Sequence, residues 1–223
     1  MTGLLLLAAS GLAREVIAVG RDTLGIVGVL DDDESLRGSL LSGIPVLGPL
    51  ATAATRTESL LLCLGSGSGR LRVAQRLAVL GVGAERYATY VSPAASVPPG
   101  AVVGRGSILL AGVVVTADVG MGQHVVVMPN ATLTHDDVIG DFVTIAAGAS
   151  LGGGVVLEAA SYVGMNASIR QSIRVGRGAT IGMGAAVLTD VPAGETWVGV
   201  PARVLRSEGR AAGPAPILDA RLT

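Results

Sequence analysis

The sequence predicts a chain in two unlike parts: an α/β half with a small parallel sheet, then a solenoid coiled from short β-strands. Three observations carry this. Up to about residue 90, apolar runs that read as strands alternate with segments of helical spacing. From Val97 onward an aliphatic residue returns at every sixth position. The composition suits tight coils, with 33 glycines but only one Phe, one Trp and three Tyr in 223 residues.

The first half is read in order. Residues 3–9, GLLLLAA, form a buried strand, and residues 12–22, LAREVIAVGRD, carry helical apolar spacing after a Gly turn. GIVGVLDDD, 25–33, is a second strand ending in acids, and SLLLCLG, 59–65, a third. RLRVAQRLAVLG, 70–81, is a helix with a Gly stop. Strand and helix in alternation imply a parallel sheet with helices packed on it. Such sheets take ligands at the carboxyl ends of their strands, here 9–11, 31–33 and 65–69.

The second half follows another period. Steps of six from Val97 to Val187 meet sixteen residues, all aliphatic or Met. The same step from Ala95 to Ala185 meets small or aliphatic residues, broken only by Asp137. Six residues match neither a helix nor an ordinary strand. They fit one face of a prism, three such units closing an eighteen-residue coil. Both sets point inward, and Gly or a small polar residue turns each corner. About five coils fit between 97 and 188.

Bulk properties exclude several classes. The net charge is −1 and no basic run stands out, so no nucleic-acid partner is expected. Cys63, the single cysteine, sits in an apolar run and reads as a buried thiol of a reducing compartment. The opening apolar run is short and lacks a basic lead, so it reads as a first strand, not a signal segment. No membrane span is expected, and the expected location is cytoplasmic.

Candidate chemistry centres on NATLTHDDVIG, residues 130–140. His135 has a near-neutral reference pKa and can take a proton at physiological pH. A carboxylate on its other ring nitrogen would fix the tautomer and raise basicity, and either Asp136 or Asp137 could supply it. Asp137, the polar break in an inward set, needs a partner of its own. His124 and His135 with the aspartates form a rival metal set, disfavoured because no second His or Cys recurs at coil spacing. GSGSG, 65–69, suits either a phosphate cradle or a plain flexible turn. The first turn, AASGLAREV, lacks the dinucleotide fingerprint, so NAD is not predicted.

These stretches together resemble the bacterial sugar acetyltransferases, which join a Rossmann-like N-terminal domain to a left-handed parallel β-helix of hexapeptide repeats. The marks are AASGLAREV, VLDDD, GIPVLGPL, LGSGSGR, THDDVIGDF, AAGASLGGGVVL and WVGVPARVL, spread from about residue 3 to 206. The resemblance implies a nucleotide-sugar domain over 1–90, an acetyltransferase domain over 91–206 and a flexible tail over 207–223. It implies a homotrimer with acetyl-coenzyme A in a groove between adjacent β-helices, and no metal. His135 matches the general base and Asp136 the acid that orients it. Thr144, Met165, Met183, Gly199 and Pro201 match the coenzyme groove. Gly11, Leu12, Ala13, Asp31, Asp32, Gly65 and Arg70 match the nucleotide-sugar site. For the methionines the plainer alternative is corner filler, and for Asp31 and Asp32 a solvated strand end. The chain departs from the family pattern at Leu12, usually His, at Met128, usually Asn, and at Thr144, often His. The implied activity is acetyl transfer to the amino group of a nucleotide-linked amino sugar. Two alternatives are O-acetylation of a sialic-acid-like sugar and a non-catalytic trimer that binds a nucleotide sugar.

Overall fold

The computed structural model describes residues 3–21 and 23–205; the tail read at 207–223 lies outside the described residues. β1 (Leu4–Leu7), β2 (Ile26–Leu30), β3 (Leu40–Leu41), β4 (Ile44–Gly48) and β5 (Ser59–Leu62) form one sheet in the order β3-β4-β2-β1-β5. β1, β2, β4 and β5 run parallel, and β3 folds back antiparallel on β4. All four leucines of β1 are buried, which is why it reads as an unbroken apolar run without alternation. The β3–β4 edge has no such signal, because β3 is two residues long and Pro45 interrupts β4.

Two helices cover the sheet. α1 (Gly11–Gly20) and α2 (Gly67–Val79) both start at a capping serine. Ser10 Oγ accepts the Ala13 N–H at 3.1 Å, and Ser66 Oγ accepts the Gly69 N–H at 3.2 Å. GSGSG is therefore the capped start of α2. α1 buries Leu12, Ala13, Val16 and Ile17 with Leu4, Leu6 and Val29 on one sheet face. Leu77 of α2 packs with Leu5, Leu7 and Leu60 on the other. Cys63 is fully buried, and burial pushes its thiol pKa up.

From Tyr90 the chain winds as a parallel β-helix with three faces. The broad face carries the strands that begin at Tyr90, Ile108, Val126, Thr144, Tyr162, Thr180 and Thr196, closed by the antiparallel Arg203–Val204. The second face runs from Val114–Val115 to Ala186–Val187, and the third from Val102–Val103 to Arg174–Val175. Pairing joins residues eighteen apart, as in Val126 with Thr144 and Val138 with Val156. Both six-step sets face inward as expected. Leu109, Val127, Ile145, Val163 and Ile181 share one core with Val113, Ala131, Ala149, Ala167 and Ala185.

The corners are turned at a different place from the glycines that follow the inward residues. Every sixth residue from Gly106 to Gly184 has a left-handed φ between 54° and 77°. Gly, Asn and Asp tolerate this well, but His124, Phe142 and Ala160 also adopt it. The glycines immediately after the inward residues, such as Gly140 and Gly152, instead permit close stacking. There a Cβ would run into main chain of the next coil.

One side chain joins the two halves. Arg70 of α2 is completely buried. Its Nε donates to the His124 carbonyl at 2.9 Å. Nη1 donates to Leu64 O at 2.7 Å and Gly65 O at 3.1 Å. Nη2 donates to Phe142 O at 3.0 Å, Val143 O at 2.9 Å and Thr144 Oγ1 at 3.0 Å. Burial pulls its pKa down to about 10, so it stays charged at neutral pH. Close approach of α2 also requires Gly67, where a Cβ would strike the Phe142 carbonyl.

Arg70→Met should therefore strand several buried carbonyls and cost about 3 kcal/mol or more of unfolding free energy. Urea unfolding measures it. Unchanged stability would show that these carbonyls find other partners and that Arg70 is not the clamp.

Candidate functional site

The predicted residues fall into two groups at different corners of the prism. His135 and Asp136 occupy the corner between the second and third faces, each with a side chain about 67% exposed. His135 Nδ1 lies 2.7 Å from Asp136 Oδ2. Asp136 takes the left-handed turn, φ 62°, which swings its carboxylate alongside the preceding ring. That hydrogen bond, and then the charge of Asp136, hold the His135 pKa above its ordinary value. Of the two carboxylates left open by sequence, Asp136 is the one bonded to the ring. Asp137 points inward, fully buried.

The second group gathers near the corner between the broad and second faces, under the strand ends of the N-terminal sheet. A cavity of about 410 Å³ is lined by Gly65, Thr144 and Met165, together with Glu15, Met128 and Tyr162. A neighbouring cavity of about 370 Å³ shares Gly65 and Tyr162 and adds Ser66, Ser68 and Thr180. Thr144 Oγ1 donates to Gly65 O at 2.8 Å, so the threonine ties the wall of the cavity to the loop above it. Met183 is 73% exposed and lies eighteen residues beyond Met165, and Gly199 and Pro201 sit on an exposed turn near the end of the solenoid.

Several residues assigned to a nucleotide-sugar site do other work. Leu12 and Ala13 are buried in the core beneath α1, so their side chains face away from any ligand. Gly11 is exposed at the start of α1, with open space where a Cβ would stand. Asp31 is half-buried and accepts the Ala9 N–H at 2.7 Å and the Asp33 N–H at 2.9 Å, which stitches two strand ends together. Asp32 accepts the Leu50 N–H at 3.0 Å and pairs with Arg76. Arg70 has no donor left for a ligand, because its guanidinium is spent on the fold's own oxygens.

Some lining residues escaped the sequence reading. Glu15 stands four residues after Gly11, on the same face of α1, and partial burial raises its pKa. Its spacing from Gly11 was the available signal. Ser66, Ser68 and Tyr162 carry no motif, because the sheet and the solenoid bring them together only in space. Among the described residues, no three His, Cys, Asp or Glu side chains gather as a metal site. No described helix is long and apolar enough to cross a membrane.

His124 is buried. Its ring stacks on Phe142, centroids 4.9 Å apart and planes 13° apart, and meets Tyr87 edge-on at 4.6 Å. Burial, then the nearby Arg70 charge, pull its pKa down to about 4.

Parallel coils stacked at eighteen-residue intervals are the architecture of the hexapeptide-repeat proteins. No protein-family model and no curated protein matches the chain by sequence. Among solved structures, the acetyltransferase domain of PglB from Neisseria gonorrhoeae FA1090, in complex with acetyl coenzyme A, superposes with a TM-score of 0.82 at 30% identity. The match covers 92% of this chain and 99% of that one. WeeI from Acinetobacter baumannii AYE gives 0.82 at 28%, covering 92% and 100%. A mutant GDP-perosamine N-acetyltransferase from Caulobacter crescentus, in complex with CoA and GDP-perosamine, shares the fold at 0.80 and 22%, covering 92% and 98%. The chain belongs to the sugar acetyltransferase family and is an acetyltransferase.

The buried His124 gives a pH signature. Its folded pKa of about 4 lies below the ordinary 6.5, so the unfolded chain binds the proton first as pH falls. Its contribution is complete above pH 6.5 and is lost as pH falls towards 4. Relative to His124→Gln, the wild type should lose about 3 kcal/mol across that window. Urea unfolding at a series of pH values measures the difference, and parallel curves would refute a neutral buried imidazole.

Proposed function

We propose that the protein transfers an acetyl group from acetyl-coenzyme A to the amino group of a nucleotide-linked amino sugar, with His135 as general base. The observation that carries this reading is the His135–Asp136 pair, 2.7 Å apart on an exposed corner. Asp136 holds Nδ1, and Nε2 has no partner among the described residues, so it is free for a substrate proton.

In this mechanism the amine nitrogen attacks the thioester carbonyl. The C–N bond forms, and His135 Nε2 takes the proton that the nitrogen loses. The C–S bond then breaks, and the thiolate leaves as coenzyme A thiol after protonation. The carboxylate of Asp136 stabilises the imidazolium formed on the way.

The coenzyme is placed along Thr144, Met165 and Met183 towards Gly199 and Pro201. The apolar wall at Met165 and Ala146 suits the uncharged arm of the coenzyme. We place the nucleotide sugar at the strand ends of the N-terminal sheet, by Gly11, Asp31, Asp32 and Gly65, of which Gly65 lines both cavities. On the same resemblance we read residues 1–90 as a Rossmann-like nucleotide-sugar domain, 91–206 as the acetyltransferase domain and the coil as left-handed. Because His135 and the cavity occupy different corners, we propose that a second copy completes the site, in a homotrimer.

Thiol release with UDP-, dTDP- and GDP-linked 4-amino sugars tests the reading. Turnover is expected on at least one of them, with His135→Ala slower by roughly 10²–10⁴-fold. A His135→Ala protein of normal stability and undiminished rate would remove the base. No turnover and no coenzyme A binding by calorimetry would remove the reaction itself. Light scattering should give three times the 22.2 kDa chain mass.

A further inference from the structure

We infer that Asp137 is the positioning residue of the His135 corner: its buried carboxylate ties the residue before the histidine to the next coil and so holds the imidazole over Gly153. This rests on the reading of His135 as the base, although its test does not need turnover.

The solenoid's hydrogen-bond ladder is rewired at this corner by a buried carboxylate; at the last second-to-third corner the exposed Asp190 takes the Arg174 N–H at 2.8 Å through one oxygen. One coil earlier Thr116 N–H donates to Leu133 O, and one coil later Gly152 N–H donates to Ile169 O. By that pattern Thr134 N–H belongs to Leu151 O. It goes instead to Asp137 Oδ2 at 2.8 Å, and the Thr134 hydroxyl donates to Leu151 O at 3.0 Å. At the same corner in the first coil, Ala101 donates its N–H to the carbonyl three residues back, Pro98 O, at 3.0 Å. Val155 does not; its N–H reaches Asp137 Oδ1 at 2.8 Å. Both oxygens of Asp137 are thus spent on main chain, one on each side of the histidine's seat.

The seat itself is the next coil. Gly154 N–H donates to His135 O at 2.8 Å. A Cβ on Gly153 would overlap His135 Cε1 and Nε2, so glycine leaves room for the ring in this orientation. Val155, pinned by Asp137, follows directly. The carboxylate therefore sets the height of the coil on which the imidazole rests.

An apolar residue would fill this inward position as Val119 and Val155 do one coil away on either side. A carboxylate there carries a burial cost, visible in a pKa pushed up to about 6 against the pull of the two N–H bonds and of His135. The titratable groups acting on it are His135 and Asp136 of its own turn; Asp118 stands at the same corner one coil earlier, eighteen residues before Asp136. Gly152–Val155 of the following coil bring none. The carboxylate form accepts both N–H bonds, whereas protonation turns one oxygen into a donor and sacrifices one of them. Its negative charge also adds to the basicity of His135.

Histidine-labelled NMR reads this directly, because the chain has only two histidines. In the wild type the His135 signal should titrate above the ordinary 6.5. In Asp137→Asn its pKa should fall to a value between those of the wild type and Asp136→Asn, and its ring shifts should move. Gly153→Ala should move the ring shifts as well. Ser107→Ala is the control for a merely structural role: Ser107 also accepts the N–H of Val125, the residue eighteen on, at 3.0 Å, and its loss should leave the His135 titration unchanged. If Asp137→Asn does not fold, the wild type still decides the point. The Thr134 and Val155 amide protons should both titrate with a midpoint of about 6. Amides indifferent to pH, or a folded Asp137→Asn with the wild-type His135 titration, would overturn the inference. With an active substrate, kcat for Asp137→Asn should fall about tenfold while KM for acetyl-CoA holds. A wild type that titrates as described but transfers no acetyl group would sink the base and leave the positioning role standing.

Discussion

The constraint on which the rest of this structure depends is register. Each residue of the solenoid sits on the residue eighteen before it, and every sixth must accept a left-handed turn. That repetition makes a narrow prism with no room for rings, and it explains the scarcity of aromatic residues. It also means that a side chain at a corner is placed by the coils beside it more than by its own neighbours in sequence. His135 illustrates this. Its carbonyl, its ring and the residue before it are all set by residues 151–155, one coil away.

Joining a sheet to such a prism poses an electrostatic problem, because corner carbonyls and strand-end carbonyls meet in a dry interface. Arg70 resolves it without a carboxylate. A guanidinium offers five N–H donors in a fixed fork and accepts nothing, so it can satisfy a cluster of oxygens from both halves at once. Spreading one positive charge over several carbonyl dipoles keeps it ionised in spite of burial. The same charge helps keep the neighbouring His124 neutral, so the interface holds one cation and not two.

The fold was largely legible in the sequence because its two periods differ. Aliphatic residues six apart can be buried together only in a coil, and β1 with its four leucines can only be central. The β3–β4 edge was not legible, since a two-residue strand and a proline leave no period. The His135–Asp136 pairing was legible because it is local in sequence: the two residues are adjacent, and the turn makes them partners. It was misread where the chemistry depends on which way a side chain faces. Leu12 and Ala13 stand in the right loop but point into the core, and Arg70 follows a glycine-rich turn but points into the interface. Glu15 and Tyr162 went unseen because only the packing of α1 and the solenoid on one another brings them together. Asp137 was conspicuous as the polar break in an apolar set, and its partners proved to be main-chain N–H groups that no sequence pattern records.

The separation of His135 from the cavity constrains how such a molecule works. A prism has three corners, and His135 stands on one while the apolar cavity opens beside another. No rotation of the His135 side chain closes that distance, since the second face lies between them. In the proposed trimer the base of one copy faces the groove wall of the next, so each site is assembled from two surfaces that are each rigid by themselves. The exposed imidazole then has a physical rationale. In a single chain water screens the His135–Asp136 pair, and the interaction strengthens only when another surface excludes that water. Proton transfer would thereby be confined to the assembled groove, where donor and acceptor are both held.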